Sequence, residues 1–72
     1  MEINGILFYR SRLSPGWEAE LPDGRRISVM DNITSHRAFV LGIQDGPYCT
    51  AATAELAACG LLAMLRHLER LQ

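Results

Sequence analysis

The sequence predicts an α+β domain in which a four-stranded, mainly antiparallel sheet is followed by one long C-terminal helix. Three observations predict it: β-rich and alternating runs in the first part of the chain, a turn signal between two of them, and helical periodicity in the last third. A meander order is the simplest, because each connection is short. We expect a single domain over 1–72, with the sheet over about 2–43 and the helix over about 51–71.

The last third of the chain carries the clearest pattern. Its apolar residues recur at steps of three and four, which places them along one face of a helix. This seam consists of Ala54, Ala57, Leu61, Met64, Leu68 and Leu71. Thr50 is the expected N-cap, because its hydroxyl can accept a hydrogen bond from a free amide of the first turn.

The second and third predicted strands form the best-defined local element. Residues 17–21 and 26–30 both alternate, and Pro-Asp-Gly at 22–24 is typical of a turn whose glycine takes the left-handed conformation. One register places apolar residues opposite each other on one face and opposite charges opposite each other on the other face. It pairs Trp17 with Val29, Ala19 with Ile27, and Glu20 with Arg26.

The first and fourth predicted strands are apolar on both faces. They are Ile3 to Tyr9 and Arg37 to Ile43. Apolar residues on both faces are typical of a strand that lies in the interior of a sheet or has a covered outer face.

Composition and length indicate a folded chain whose own core gives it only marginal stability. Of the 72 residues 49% are hydrophobic, the net charge is −1, and all seven basic residues are arginines. A chain this short buries only about 60–65% of its extended surface and is marginally stable alone. The near-zero charge disfavours a general nucleic-acid binder, which needs a concentrated basic face.

The sequence predicts a cytoplasmic protein that does not contact a membrane. The first residues, Met-Glu-Ile-Asn-Gly, lack the basic and apolar segments of a secretory signal. No run approaches the ~18 uninterrupted apolar residues of a membrane span. Two cysteines cannot form a disulfide framework.

The side chains that could bind a soft metal or act as a thiol nucleophile are dispersed along the chain. They are His36, Cys49, Cys59 and His67, and they contain none of the close pairs that are typical of zinc sites. Cys49, next to the predicted helix start, could have a stabilised thiolate, but only His36 or His67 could serve as its base. We therefore predict no metal, no cofactor and no catalytic residue; a small thiol enzyme that uses Cys49 is the third hypothesis.

The helix is expected to contact a partner as well as the core. About 21 residues make a helix of ~32 Å, whereas strands of five to seven residues span ~17–24 Å. Its bulky half would then pack partly on the sheet and partly on another molecule, unless the whole seam is simply core. The residues assigned to this dimer or partner interface are Leu61, Leu62, Met64, Leu65, Leu68 and Leu71.

A second predicted partner-binding surface lies in the sheet half. It consists of Tyr9, Arg10, Arg12, Trp17 and Arg37, whose residue types are common in interfaces. The leading hypothesis is a non-enzymatic protein that occludes or regulates a larger protein partner and forms a homodimer through its C-terminal helix. A phage- or mobile-element-encoded inhibitor of a host defence complex is a concrete version of it.

The alternative hypothesis is a nucleic-acid-binding regulator that uses the arginines of the sheet half. These are Arg10, Arg12, Arg25, Arg26 and Arg37. Six acidic residues lie in the same half, so its net charge is −1. Binding through these arginines predicts a steep dependence on salt, which a protein complex need not show.

Overall fold

The computed structural model describes residues 1–12 and 15–70, which form seven strands followed by a helix. The strands are β1 (Glu2–Ile3), β2 (Ile6–Leu7), β3 (Tyr9–Arg10), β4 (Gly16–Glu20), β5 (Arg26–Asp31), β6 (His36–Val40) and β7 (Tyr48–Ala51), and the helix is α1 (Ala54–Arg70). β1 pairs with β2, and β3 to β7 form an antiparallel sheet in sequential order. The α+β class, the antiparallel pairing and the C-terminal helix are confirmed, whereas the four-stranded sheet is wrong.

The first predicted strand is in fact a tight hairpin followed by a short edge strand. Asn4 and Gly5 have φ values of 52° and 81°, as a two-residue turn of type I′ requires. The chain reverses there, so that Ile3 lies opposite Ile6. A single strand over 3–9 is therefore wrong, because the Asn-Gly pair within it is itself a strong turn signal.

The predicted start of the helix is also corrected. Thr50 lies in β7 opposite Arg37 and does not cap the helix. The N-cap is Thr53, whose Oγ1 accepts a hydrogen bond from the amide of Leu56 at 3.2 Å. Because the chain first pairs with β6, α1 has 17 residues and is about 25 Å long. Leu71, the predicted helix end, lies outside the described residues.

The β4–β5 hairpin has the predicted register. Trp17 faces Val29, Ala19 faces Ile27, and Glu20 faces Arg26. The amide of Leu21 donates to the carbonyl of Arg25 at 2.7 Å, which closes the turn as expected. β6 ends at Val40, earlier than predicted, and Gly42, with a φ of 81°, lies in the connection to β7.

The core lies between the sheet and a second layer made of α1 and the β1–β2 hairpin. The helix lies over β5, β6 and β7, while the hairpin packs beside it against β4. The buried apolar residues are Ile3, Phe8, Ala19, Leu21, Ile27, Val29, Ala38, Val40, Ala57, Ala58, Leu61 and Leu65. Because side chains alternate along a strand, this packing covers one face of the sheet.

Arg25 ties the β4–β5 turn to the end of α1. Its Nε donates to Oδ2 of Asp23 at 2.7 Å, and its Nη2 donates to Oε1 of Glu69 at 2.6 Å. Its amide also donates to Oδ1 of Asp23 at 3.0 Å. This backbone hydrogen bond is the main cause that lowers the pKa of Asp23, and the hydrogen bond to Glu69 raises the pKa of Arg25.

We expect the Asp23 carboxyl to titrate below the usual range of an aspartate. Its folded-state pKa is lower than its unfolded value, so its contribution to stability is present above the unfolded pKa and is lost as the pH falls through the folded pKa. NMR titration of the carboxyl carbon measures the folded pKa, and Asp23→Asn should flatten the acid side of the stability–pH curve. A carboxyl that titrates at or above its ordinary value would contradict this turn.

Gly16→Ala should destabilise the protein strongly. Gly16 is buried with a φ of 147°, and a Cβ at this position would overlap the backbone carbonyl of Val29. We expect the free energy of unfolding to fall by about 3 kcal/mol, from backbone strain and the overlap together. Gly24→Ala is the matched control, because Gly24 also has a positive φ, 93°, but has open space around it. Gly24→Ala should lower the free energy of unfolding by about 1 kcal/mol. If urea denaturation gave equal losses for the two variants, the close approach of the Val29 backbone to Gly16 would be unimportant.

Candidate partner-binding face of the sheet

In the described part of the chain the helix and the β1–β2 hairpin pack on one face of the sheet, and we call the opposite face the open face. It carries the side chains that alternate with the buried ones. Tyr9, Glu18, Ser28, Phe39 and Tyr48 form one row across the five strands, and Met30, Arg37 and Thr50 form the next. Large side chains are exposed here: Tyr9 is 44%, Met30 41% and Tyr48 51% accessible.

In one half of the open face the polar side chains pair with one another. Nη2 of Arg26 donates to Oη of Tyr9 at 2.9 Å and lies 3.8 Å from Oε2 of Glu18. The hydrogen bond to Tyr9, with the Glu18 carboxylate nearby, raises the pKa of Arg26. These three side chains therefore form a charge-balanced network on β3, β4 and β5.

The other half of the open face forms a concave surface of about 480 Å³, which we call the aromatic groove. It is lined by Met30, Arg37, Phe39, Ile43, Asp45, Gly46, Pro47 and Tyr48. The guanidinium carbon of Arg37 lies 4.3 Å from the centroid of the Tyr48 ring, a cation–π contact. Among the described residues Arg37 forms no ion pair, so its charge is free for an incoming group.

The five residues predicted as a partner-binding surface do not form one surface. Tyr9 and Arg37 lie on the open face, in strands β3 and β6. Arg10 and Trp17 lie on the opposite face, where the Arg10 guanidinium is 5.0 Å from the Trp17 ring. Arg12 is exposed in the connection after β3. Neighbouring residues of a strand point to opposite faces. Tyr9 and Arg10 are adjacent in sequence and therefore lie on different faces of the sheet.

Sequence reasoning missed most of the aromatic groove. Phe39 and Arg37 share a face by the alternation of β6, and this could have been read from the predicted fourth strand. Tyr48 cannot be placed from the sequence, because the predicted helix begins directly after Thr50 and leaves no fifth strand to hold it. Ile43 was assigned to a strand but lies in the β6–β7 connection, where it is 52% exposed.

The predicted interface residues of the helix are divided between core and surface. Leu61 and Leu65 are 0% and 6% exposed and belong to the core, and Leu62 is half-buried against it. Met64 and Leu68 are 39% and 43% exposed. Of the five predicted interface residues that the structure describes, this second pair is the most accessible to another molecule.

Among the described residues no hydrogen bond joins the Cys49 thiol to either candidate base, His36 or His67, although His36 and Cys49 lie on the same face of β6 and β7. His36 directs Nδ1 to the carbonyl of Ala52 at 3.2 Å, and its Nε2 lies 3.2 Å from Oδ1 of Asp31, without the alignment of a hydrogen bond. The sulfur of Cys49 instead lies against Gly60 of the helix. Within residues 1–12 and 15–70 no three His, Cys, Asp or Glu side chains are grouped so that they could hold a metal ion. His36 therefore joins the β5–β6 end of the sheet to the segment before α1.

The arginines of the sheet half are dispersed and mostly paired. The ion pairs are Arg10 with Asp31, Arg25 with Asp23 and Glu69, and Arg26 with Glu18. Arg10 and Arg37 lie on opposite faces of the sheet. Arg10 and Arg37 therefore belong to two separate surfaces.

Comparison with known proteins assigns no family. The sequence matches no protein-family model, and neither curated proteins nor solved structures give a significant match. Among the described residues, no helix has the length and apolar character needed to cross a membrane.

Truncation of the aromatic groove should cost little stability. Arg37→Ser with Tyr48→Ser removes one exposed cation–π contact and one cross-strand contact, so we expect a loss of about 1 kcal/mol or less. Ile27→Ala, on the covered face, should cost about 3–4 kcal/mol, because Ile27 is fully buried. Chemical denaturation compares the two; a large loss from the groove variant would show that the groove serves the fold.

Proposed function

We propose that this chain is a non-enzymatic interaction protein that binds a larger protein through its aromatic groove and so occludes or regulates that protein. The observation that carries this proposal is the combination on the open face of exposed aromatic residues, an exposed methionine and an arginine that forms no ion pair with any described residue. Interface cores are enriched in these residue types.

The groove has the shape and chemistry to receive a protein segment. A concave surface of about 480 Å³ is in the range of binding pockets and can take one or two apolar side chains. Arg37 is held over Tyr48, so less side-chain freedom is lost when it pairs with a partner's carboxylate. An apolar side chain flanked by an acidic residue is the expected element of the partner.

Nucleic-acid binding is the second candidate, and the charge distribution favours it less. Of the described residues that line the groove, Arg37 alone is positively charged, and Asp45 is also in the lining. Tyr48 and Phe39 could stack on bases, but without a basic path beside them the backbone would not be held.

A narrower form of the proposal is an inhibitor, encoded by a phage or mobile element, that blocks a host defence complex. Its support is the small size of the chain and the lack of a catalytic motif in the sequence. The identity of a captured partner decides between this form and another regulatory role.

The test is an affinity capture that compares three folded forms of the protein in extract from its source cells. We expect wild type to retain a specific protein, and Arg37→Glu with Tyr48→Ser to lose it at least about tenfold, because the charge and the aromatic ring of the groove are both removed. Circular dichroism confirms that each variant is folded.

Arg70→Glu with Ile33→Ser is the matched control for this capture. It makes the same charge reversal and also removes an exposed apolar side chain, but both positions lie outside the groove. It should retain the partner as wild type does. Recovery of the same proteins by all three forms would overturn the proposal, and recovery of nucleic acid with a steep salt dependence would support the second candidate.

A further inference from the structure

We propose that the chain forms a two-fold symmetric dimer in which β7 pairs antiparallel with β7 of a second copy and the exposed flank of α1 packs against the same flank of that copy. This flank consists of Leu56, Gly60, Ala63, Met64 and His67. The inference does not rest on the proposed function, because it is argued from the backbone edge of β7 and the flank of α1, whereas the groove is formed by side chains on the other face of the sheet.

The hydrogen-bond alternation along β6 can be followed from two contacts at its ends. The amide of Leu41 donates to the carbonyl of Arg26 at 2.9 Å, and the amide of Asn32 donates to the carbonyl of Ser35 at 2.8 Å. In an antiparallel pair, every second residue directs its backbone groups to a given neighbour. The odd-numbered residues of β6 therefore bond to β5, and the even-numbered residues bond to β7.

This alternation determines which backbone groups of β7 are free. His36 lies opposite Ala51 and Ala38 lies opposite Cys49, so Cys49 and Ala51 bond to β6. The amides and carbonyls of the two remaining residues, Tyr48 and Thr50, point away from the sheet. β7 thus presents two donors and two acceptors at an edge to which no described strand is paired.

A second β7 satisfies all of these groups in one register. With Cys49 on the two-fold axis, Tyr48 of each copy lies opposite Thr50 of the other. Each such pair exchanges two hydrogen bonds, so about four bonds form across the axis. A shift by two residues in either direction leaves part of each β7 without a strand partner.

Within β7, which Pro47 precedes, two of the features with which proteins usually prevent strand addition are absent. The four residues of β7, Tyr-Cys-Thr-Ala, include no charged side chain and no proline. The other edge strand, β3, has only two residues and carries Arg10. The unprotected edge is therefore the one whose free groups are self-complementary.

The exposed flank of α1 lies directly beside this edge. A methyl group on Gly60 would overlap the sulfur of Cys49, so the helix crosses β7 at Gly60. One turn to either side, Leu56 is 59% and Met64 is 39% exposed. Ala63 and His67 are also exposed, which leaves the flank largely apolar.

The same two-fold axis brings the two flanks together. An axis through Cys49 and perpendicular to the sheet makes the two helices antiparallel, with Gly60 of each copy nearest the axis. Leu56 then faces Met64 of the other copy. Because α1 lies over β6 and β7 and strands are about 4.8 Å apart, the helix axes are about 10–14 Å apart, a gap that these long side chains fill.

A second copy covers both the free edge of β7 and the apolar flank of α1, whereas an extended peptide from another protein covers only the edge. A peptide could add to the edge of β7, but it would leave Leu56 and Met64 in water. An isologous dimer covers the edge and the flank with one operation, because each copy offers the same patch.

The first test is the solution mass by light scattering over a dilution series. Wild type should have twice the mass of one chain, and Thr50→Pro should raise the dissociation constant at least about tenfold. The amide of Thr50 points outward, so proline removes a donor to the second copy and none to β6. Thr50→Val keeps the amide and should remain dimeric.

The helix flank is tested in the same series by Leu56→Glu with Met64→Glu. This variant should be a folded monomer, because four carboxylates would meet at the axis of the dimer. Arg66→Glu, on the exposed side of α1 away from the flank, should remain dimeric. A monomeric wild type at all concentrations, or a dimer that tolerates both Thr50→Pro and the flank variant, would overturn the proposal.

The two cysteines test the register itself. In Cys59→Ser the two remaining Cys49 residues lie opposite each other on the axis with Cα atoms about 4.5 Å apart, so oxidation with copper phenanthroline should link the two copies by a disulfide. In Cys49→Ser the remaining Cys59 is exposed on α1 but points away from the axis, so no such link should form. A dimer that is linked through Cys59, or that is not linked through Cys49, would refute this arrangement.

Discussion

The core is built on one face of the sheet, and this one-sided packing governs the rest of the structure. Five strands are about 19 Å across, whereas a helix is about 10 Å wide. The helix alone therefore leaves a strip of β4 uncovered, and the β1–β2 hairpin fills it with Ile3 and Phe8. Ala57 and Ala58 are small enough to bring α1 close to the strands. With both covering elements on the same side, every large side chain of the open face meets water or another molecule.

The two faces consequently have different roles. On the covered face apolar residues lose their contact with water, and this burial supplies most of the stability. On the open face Tyr9, Arg26 and Glu18 pair with one another, while Arg37 lies over the Tyr48 ring and forms no ion pair within the described part of the chain. A side chain that contributes little to stability is free to be selected for recognition. Leu56 and Met64 are apolar but lie outside the core, so they too contribute little to stability and are free to be selected for recognition.

The parts of the fold that depend on neighbouring residues could be predicted, and those that depend on distant pairing could not. Alternation and a Pro-Asp-Gly turn determined the register of β4 and β5, because all the deciding residues lie within 17–30. The Asn4-Gly5 turn is equally local, because Asn-Gly is by itself a strong signal for a two-residue hairpin turn. Thr50 and Thr53 are both plausible caps by residue type, and only the pairing of β7 with β6 selects Thr53. The aromatic groove depends on that same pairing, so Tyr48 could not be placed on it from the sequence.

The order of the elements also has a consequence for synthesis of the chain. Each strand of the main sheet pairs with the next one in sequence, so the sheet can form hairpin by hairpin as the chain leaves the ribosome. Its apolar face, however, is covered by α1, which follows every strand. At about 5–20 residues per second the 17 residues of the helix take about one to three seconds to be added. During that interval the nascent sheet exposes Ile27, Val29 and Val40 to its surroundings, and this is when it is most exposed to aggregation and to chaperones.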